Sequence, residues 1–183
     1  MKIDILLSGA GGQGLMSLGK LMANVAVKEG KFSTYIPSYG AEVRGGTAYC
    51  FVKISDTPIK SPLVETPDVA ILLNQQSVDK FKKIFTKKTI AILNSDLMAD
   101  KPAGLSGKIF YFPLNKIALE CGNIKCANMV ALGALISHKT GILRREGIED
   151  FLKEVFGENK LLIDTNVKAL ARGESAARAL NTL

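Results

Sequence analysis

Short apolar runs separated by glycine and proline alternate with stretches of helical periodicity along this chain. The first run, Lys2–Ser8, is apolar and ends at glycine, as a buried strand does. Then come Leu15, Leu18, Leu21, Met22, Val25 and Ala26 at helical spacing, with Gly30 as the stop signal. A second strand, Phe32–Ile36, is closed by Pro37. The next, Thr47–Ser55, alternates Ala48, Cys50, Val52 and Ile54 with Thr47, Tyr49, Phe51 and Lys53. Ile59–Val64, broken by Pro62, reads as edge structure or loop. Val69–Leu73 and Thr89–Leu93 read as buried strands, separated by a helix through Val78, Phe81 and Ile84 with Ser77 as its cap. A strand over Lys108–Phe112 leads to a short helix over Asn115–Cys121. Three more helices follow at Asn128–Lys139, Arg144–Phe156 and about Lys160–Ala171, and the residues after them read as a frayed or partner-bound tail. The Asn128–Lys139 helix is apolar nearly all round, which places it in a core or a subunit interface; the core is the preferred reading.

Strands alternating with helices predict an α/β fold: a three-layer open sheet, mostly parallel, opened by a strand–glycine loop–helix unit. The expected organisation is one domain over residues 1–183.

The chemistry concentrates in two glycine-rich loops. Gly9, Ala10, Gly11, Gly12, Gln13 and Gly14 stand between the first strand and the first helix, where bare backbone amides meet the positive helix end and favour phosphate. The spacing Gly9-x-Gly11-x-x-Gly14 fits the dinucleotide fingerprint, which also asks for a carboxylate about 20 residues later. No Asp or Glu lies between Lys31 and Ala41, and Glu29 is too early, so a different phosphate-bearing ligand is favoured over NAD. The second loop runs from Ser38 and Tyr39 to Arg44, Gly45, Gly46 and Thr47. Its arginine offers a bidentate fork for phosphate or carboxylate beside open backbone donors; a hairpin turn with a surface arginine is the plainer alternative. Asn74 and Asn94 end two buried strands and serve equally well as ligand contacts or loop caps.

Charge and cysteine content narrow the classes. The net charge is +7, with Lys80, Lys82, Lys83, Lys87 and Lys88 clustered. No nucleic-acid motif accompanies them, so a solvated helix face is the first reading and the docking of an acidic protein the next. Three cysteines, no recognisable signal peptide and no apolar run of membrane length fit a cytoplasmic location without membrane contact. Cys50, Cys121 and Cys126 with the single His138 do not compose a metal set, and no catalytic residue is assigned.

Motifs spread over most of the chain resemble the gamma subunits of the 2-oxoacid:ferredoxin oxidoreductases. They are Gly9-x-Gly11-Gly12-Gln13-Gly14, the run Pro37–Thr47, Ser61-Pro62 with Pro67-Asp68, Asn128-Met129-x-x-Leu132-Gly133-Ala134, and the region around Asn166 and Ala169. The resemblance implies a subunit without catalytic residues that contributes to coenzyme A binding and assembly. Its companions would be alpha and beta subunits, with a delta subunit as a further candidate. Those chains would carry thiamine diphosphate, magnesium and iron–sulfur clusters, and the complex would reduce ferredoxin while converting a 2-oxoacid to acyl-CoA. Coenzyme A would explain the missing ribose carboxylate: its ribose bears a phosphate, which Arg44 suits and a carboxylate repels. Asn128 joins the implied site. The Ser-Tyr-Gly-Ala-Glu form at 38–42 is most like the 2-oxoglutarate or branched-chain enzymes, with pyruvate a further possibility for the family. A structural subunit with a vestigial loop, or a stand-alone dinucleotide enzyme, are the alternatives.

Overall fold

The computed structural model describes residues 1–38, 47–98, 102, 104–138 and 141–181. Six strands form one sheet: β1 (Lys2–Ala10), β2 (Phe32–Ser38), β3 (Thr47–Ser55), β4 (Val69–Leu72), β5 (Ile90–Asn94) and β6 (Lys108–Phe112). Their order is β2-β3-β1-β4-β5-β6. β1, β4, β5 and β6 are parallel neighbours, whereas β3 runs antiparallel to both β1 and β2. The sheet is therefore mixed, with a single reversed strand. β2 continues through Pro37 to Ser38, further than the expected stop at Ile36. It is an edge strand, so proline's missing N–H takes no bond from the ladder on its free side.

Helix α1 (Leu15–Lys28) follows β1 and α2 (Gln75–Phe81) follows β4. After β6 come α3 (Leu114–Glu120), α4 (Ala127–His138), α5 (Arg145–Phe156) and α6 (Lys160–Asn181). The larger core joins one sheet face, through Ile3, Ile5, Leu7, Val52 and Ile54, to α1 and α3–α6. The apolar stripe of α1 is wholly within it, each large side chain contributing ~1.5–3 kcal/mol on burial. On the other face a smaller cluster joins Leu6, Ala70, Leu72, Ala91 and Leu93 to Val78, Phe81 and Phe85. The layers are thus very unequal.

Two expectations need correction. The cap of α2 is Asn74, whose Oδ1 accepts from the Ser77 N–H at 2.9 Å and from the Ser77 hydroxyl at 2.6 Å; Ser77 itself is buried in the first turn. The residues expected to fray after Ala171 are the second half of α6, which extends to Asn181 and buries Ala177. This half lies on α4: a Cβ on Gly133 would overlap the Leu170 carbonyl oxygen, and one on Gly173 the Val130 carbonyl oxygen. Backbones in such contact leave α4 in the core, as preferred. Lys53 of β3 is buried. Its side chain is 4% exposed and its Nζ donates to Asp4 Oδ2 at 2.8 Å, directly across the β1–β3 pairing.

Candidate functional site

The turn between β1 and α1 is built largely of glycine. Gly12 and Gly14 take φ of +87° and +73°, the left-handed region in which a side chain is strained. Gly14 is the N-cap of α1, no side chain caps the helix, and its first turn holds no acid. A helix that forgoes a side-chain cap keeps its first amides available to an anion.

Other members of the turn are structural. Gln13 folds back so that its Oε1 accepts from the Ala10 N–H at 2.6 Å, and it occupies the space beside Gly9, where a Cβ would overlap it. Asn128, on the first turn of α4, donates from Nδ2 to the Gly14 carbonyl at 3.1 Å. A Cβ on Gly14 would lie 2.5 Å from that nitrogen. Gly9, Gln13, Gly14 and Asn128 therefore fix the loop, while nothing lies within 4 Å of a Cβ on Gly11 or Gly12.

Those two open glycines line two clefts. The first, about 400 Å³, is bounded by Ala10, Gly11, Gly12, Gly14, the first turn of α1 at Leu15, Met16 and Ser17, and by Ser38 and Ala48. The second, about 280 Å³, lies on the other side of the loop against Leu73, Asn115, Ile124, Lys125 and Ala127. It sits between the carboxyl ends of β1 and β4. From there one set of connections leads to β2 and β3 and the other to β5 and β6, the usual crevice of an open α/β sheet.

Of the residues expected here, Gly9, Ala10, Gly11, Gly12, Gln13, Gly14, Ser38 and Asn128 are brought together. Tyr39, Arg44, Gly45 and Gly46 lie outside the described residues; their segment joins the antiparallel neighbours β2 and β3. Asn74 lines neither cleft, its carbonyl being taken by the α2 cap, so the cap reading holds. Asn94 is likewise structural: buried, it accepts from the Leu114 and Asp96 amides and donates to Asn115. Met16, Ser17, Asn115 and Lys125 were not anticipated. Each lies far in sequence from one of its cleft neighbours, and no local pattern marks them.

Two competing chemistries find little support. Glu29, the acid nearest the second strand, is committed to Lys31 at 2.9 Å and to the Arg144 amide at 2.7 Å. It is thereby held away from a ribose-binding role. Cys50 is buried against α1 with its Sγ 3.7 Å from the Leu15 carbonyl, and desolvation pushes its pKa up to about 12. His138 stacks on Phe110 with ring centroids 3.7 Å apart, and burial lowers its pKa. A thiol held protonated is a poor nucleophile. Cys50 should resist an aromatic disulfide reagent at about pH 8 until urea unfolds the chain; prompt labelling of that residue in the native protein, located by peptide mapping, would contradict its burial. The described residues contain no group of three His, Cys, Asp or Glu side chains placed for a metal, and no helix long and apolar enough to cross a membrane.

The signature of the pyruvate ferredoxin/flavodoxin oxidoreductase family matches residues 4–176. This chain belongs to that family. Within it, the chain is 34% identical to the 2-oxoglutarate synthase subunit KorC of Methanocaldococcus jannaschii, over 98% of its own length and 96% of the relative's. It is 33% identical to the ketoisovalerate oxidoreductase subunit VorA of Methanothermobacter thermautotrophicus over 97% of its length, but spans only 37% of that protein. Among solved structures it superposes on the gamma subunit of a keto/oxoacid ferredoxin oxidoreductase from Geobacter sulfurreducens. That match has a TM-score of 0.82 and 31% identity, and covers 97% of this chain and 99% of the other. The fold recurs, at 24% identity and a TM-score of 0.86, within 31% of a chain of the Magnetococcus marinus 2-oxoglutarate:ferredoxin oxidoreductase, whose structure contains 2-oxoglutarate, coenzyme A and succinyl-CoA. The mixed sheet and flanking helices are thus those of the family's gamma subunits.

Proposed function

We propose that this chain is the gamma subunit of a 2-oxoacid:ferredoxin oxidoreductase and that its glycine loop holds coenzyme A for the acyl transfer. The companion chains carry the thiamine diphosphate, magnesium and iron–sulfur clusters, decarboxylate the 2-oxoacid and deliver the electrons to ferredoxin. The observation that carries the coenzyme A reading is the uncapped start of α1 facing a cleft of about 400 Å³, with Gly11 and Gly12 open to it. A diphosphate against the Leu15–Ser17 amides gains charge-assisted hydrogen bonds and a favourable helix end. The chain's own contribution is placement: it orients the cosubstrate and moves no proton. The relatives act on different 2-oxoacids, and 2-oxoglutarate is the substrate we favour, on the end-to-end match to the 2-oxoglutarate synthase subunit.

Gly11→Asp tests this reading. Its φ is not positive and a Cβ there meets nothing within 4 Å, so the fold should tolerate the change while a carboxylate enters the phosphate path. Coenzyme A binding to the assembled complex, followed by calorimetry, should weaken roughly tenfold or more, about 1.4 kcal/mol. Arg44→Ala should remove a charge-assisted contact worth about 1.5–3 kcal/mol. Full affinity in both variants would leave the chain a purely structural subunit.

A further inference from the structure

The two faces of the sheet differ in how they are finished. Five helices pack on one face, while on the other α2 has only seven residues and continues as a 3-10 turn at Lys82–Ile84. Antiparallel strands such as β2 and β3 can face water on one side, and then ordinarily carry polar residues there. Directly opposed residues share a face, so the pairings Leu6–Phe51–Ile36 and Ser8–Tyr49–Ser38 put Phe51, Tyr49 and Ile36 on the α2 side. Phe32, opposite Ser55 on the same side, is 46% exposed. Tyr49, Phe51 and Phe81 form an edge-to-face cluster with centroids 4.9–6.4 Å apart, and both β3 rings remain partly exposed.

A basic rim borders these rings. Lys80 Nζ sits 4.6 Å from the Tyr49 ring centroid and 5.8 Å from that of Phe81. Lys83 follows one turn later and is exposed, with Lys87 and Lys88 beyond it. Asp79 is the only acid in residues 79–88, and it pairs with Lys82 at 3.4 Å. Lys83, Lys87 and Lys88 form no ion pair among the described residues. A merely solvated lysine face does not need aromatic rings beneath it. Partly exposed rings bordered by one sign of charge are what the centre and rim of a protein interface look like.

We propose that the Phe32–Ile36–Tyr49–Phe51 face, backed by buried Phe81, docks a companion chain of the oxidoreductase through an apolar surface bordered by carboxylates. This rests on the subunit reading above. The rings would give the contact its persistence, and the lysines its orientation and salt dependence.

The test compares hydrogen exchange of the free chain with that of the complex reconstituted from its companion subunits, together with variants. Assembly should protect residues 32–38, 49–51 and 78–85. Lys80→Glu with Lys83→Glu should weaken assembly at least tenfold at low ionic strength, with a smaller deficit at high salt, where screening removes the rim's contribution. Phe32→Ser, at an exposed edge position, should weaken it at every salt concentration. Normal assembly of all variants, with protection confined to α5 and α6, would overturn the docking face and leave the subunit reading standing. Failure of the wild-type chain to join its companions would overturn both. Concentration-dependent protection of the same face in the free chain would assign it to a second copy and overturn the proposal.

Discussion

Gly133→Ala is expected to destabilise the protein by about 3 kcal/mol, at the upper end of overpacking costs, and Gly173→Ala by a similar amount. The reason is the crossing of α4 and α6. A Cβ on Gly133 would overlap the Leu170 carbonyl oxygen and stand 2.9 Å from its carbon; one on Gly173 would overlap the Val130 oxygen and stand 2.8 Å from its carbon. These obstacles are backbone, so no rotamer change relieves them and the helices must separate. Separation opens the contacts of Val130, Ala134, Leu170 and Ala177, all fully buried. At about 2–4 °C per kcal/mol for a chain of this size, each variant should melt roughly 6–12 °C lower. The two changes should not add, since helices already parted for one methyl accommodate the second cheaply. Thermal unfolding followed by circular dichroism reads all three values. A shift below about 1 °C for both single variants would mean that the crossing is looser than described.

The second large effect concerns Asp4 and Lys53. Their side chains are 16% and 4% exposed and 2.8 Å apart. Asp4 also binds the neighbouring strand through its backbone, its N–H donating to Asp68 Oδ2 at 2.9 Å and its carbonyl accepting from the Asp68 N–H at 2.8 Å. Asp4→Ala keeps that backbone pairing but strands a buried ammonium, and should cost about 3–5 kcal/mol. Asp4→Leu combined with Lys53→Met removes both charges and should recover most of the loss, because desolvation consumes much of what the pair gains. Urea unfolding of Asp4→Ala and of the double variant gives the two stabilities to compare. A double variant as unstable as Asp4→Ala would show the pair to be stabilising in its own right.

These two sites also mark where reading the chain as a string of residues succeeds and fails. Thr47–Ser55 and Lys108–Phe112 emerge with their boundaries intact, because alternation or a short apolar run is bounded by turn residues. The stops at Gly30 and Gly157 are equally plain, both glycines taking positive φ. Alternation records which residues share a face but not which strand lies alongside, so the antiparallel place of β3 between β2 and β1 was not visible. Alternation puts Lys53 on the face of Tyr49 and Phe51 but says nothing of its burial, because its counter-charge is 49 residues away. The second half of α6 read as a tail because glycine and alanine do its packing. Close backbone approach leaves little mark on a hydrophobic pattern. Asn74 and Ser77, both good caps three residues apart, could be ranked only by geometry. In the site, the glycine loop was legible and its supports were not: Asn128 reaches Gly14 across 114 residues, and Lys125 comes to the loop by topology alone.

The Asn128 amide has a consequence of its own. It joins the anion loop to α4 two residues before Val130, the residue against which Gly173 rests. The loop's shape is therefore coupled, through the first turn of α4, to a distant helix crossing. A change at Gly173, on the buried side of α6 and far from the loop in sequence, would let the first turn of α4 drift and slacken its hold on the Gly14 carbonyl. On the coenzyme A reading proposed above, the tightness of capture would be set partly in the scaffold, and variation in it should be sought among the small residues of the α4–α6 crossing.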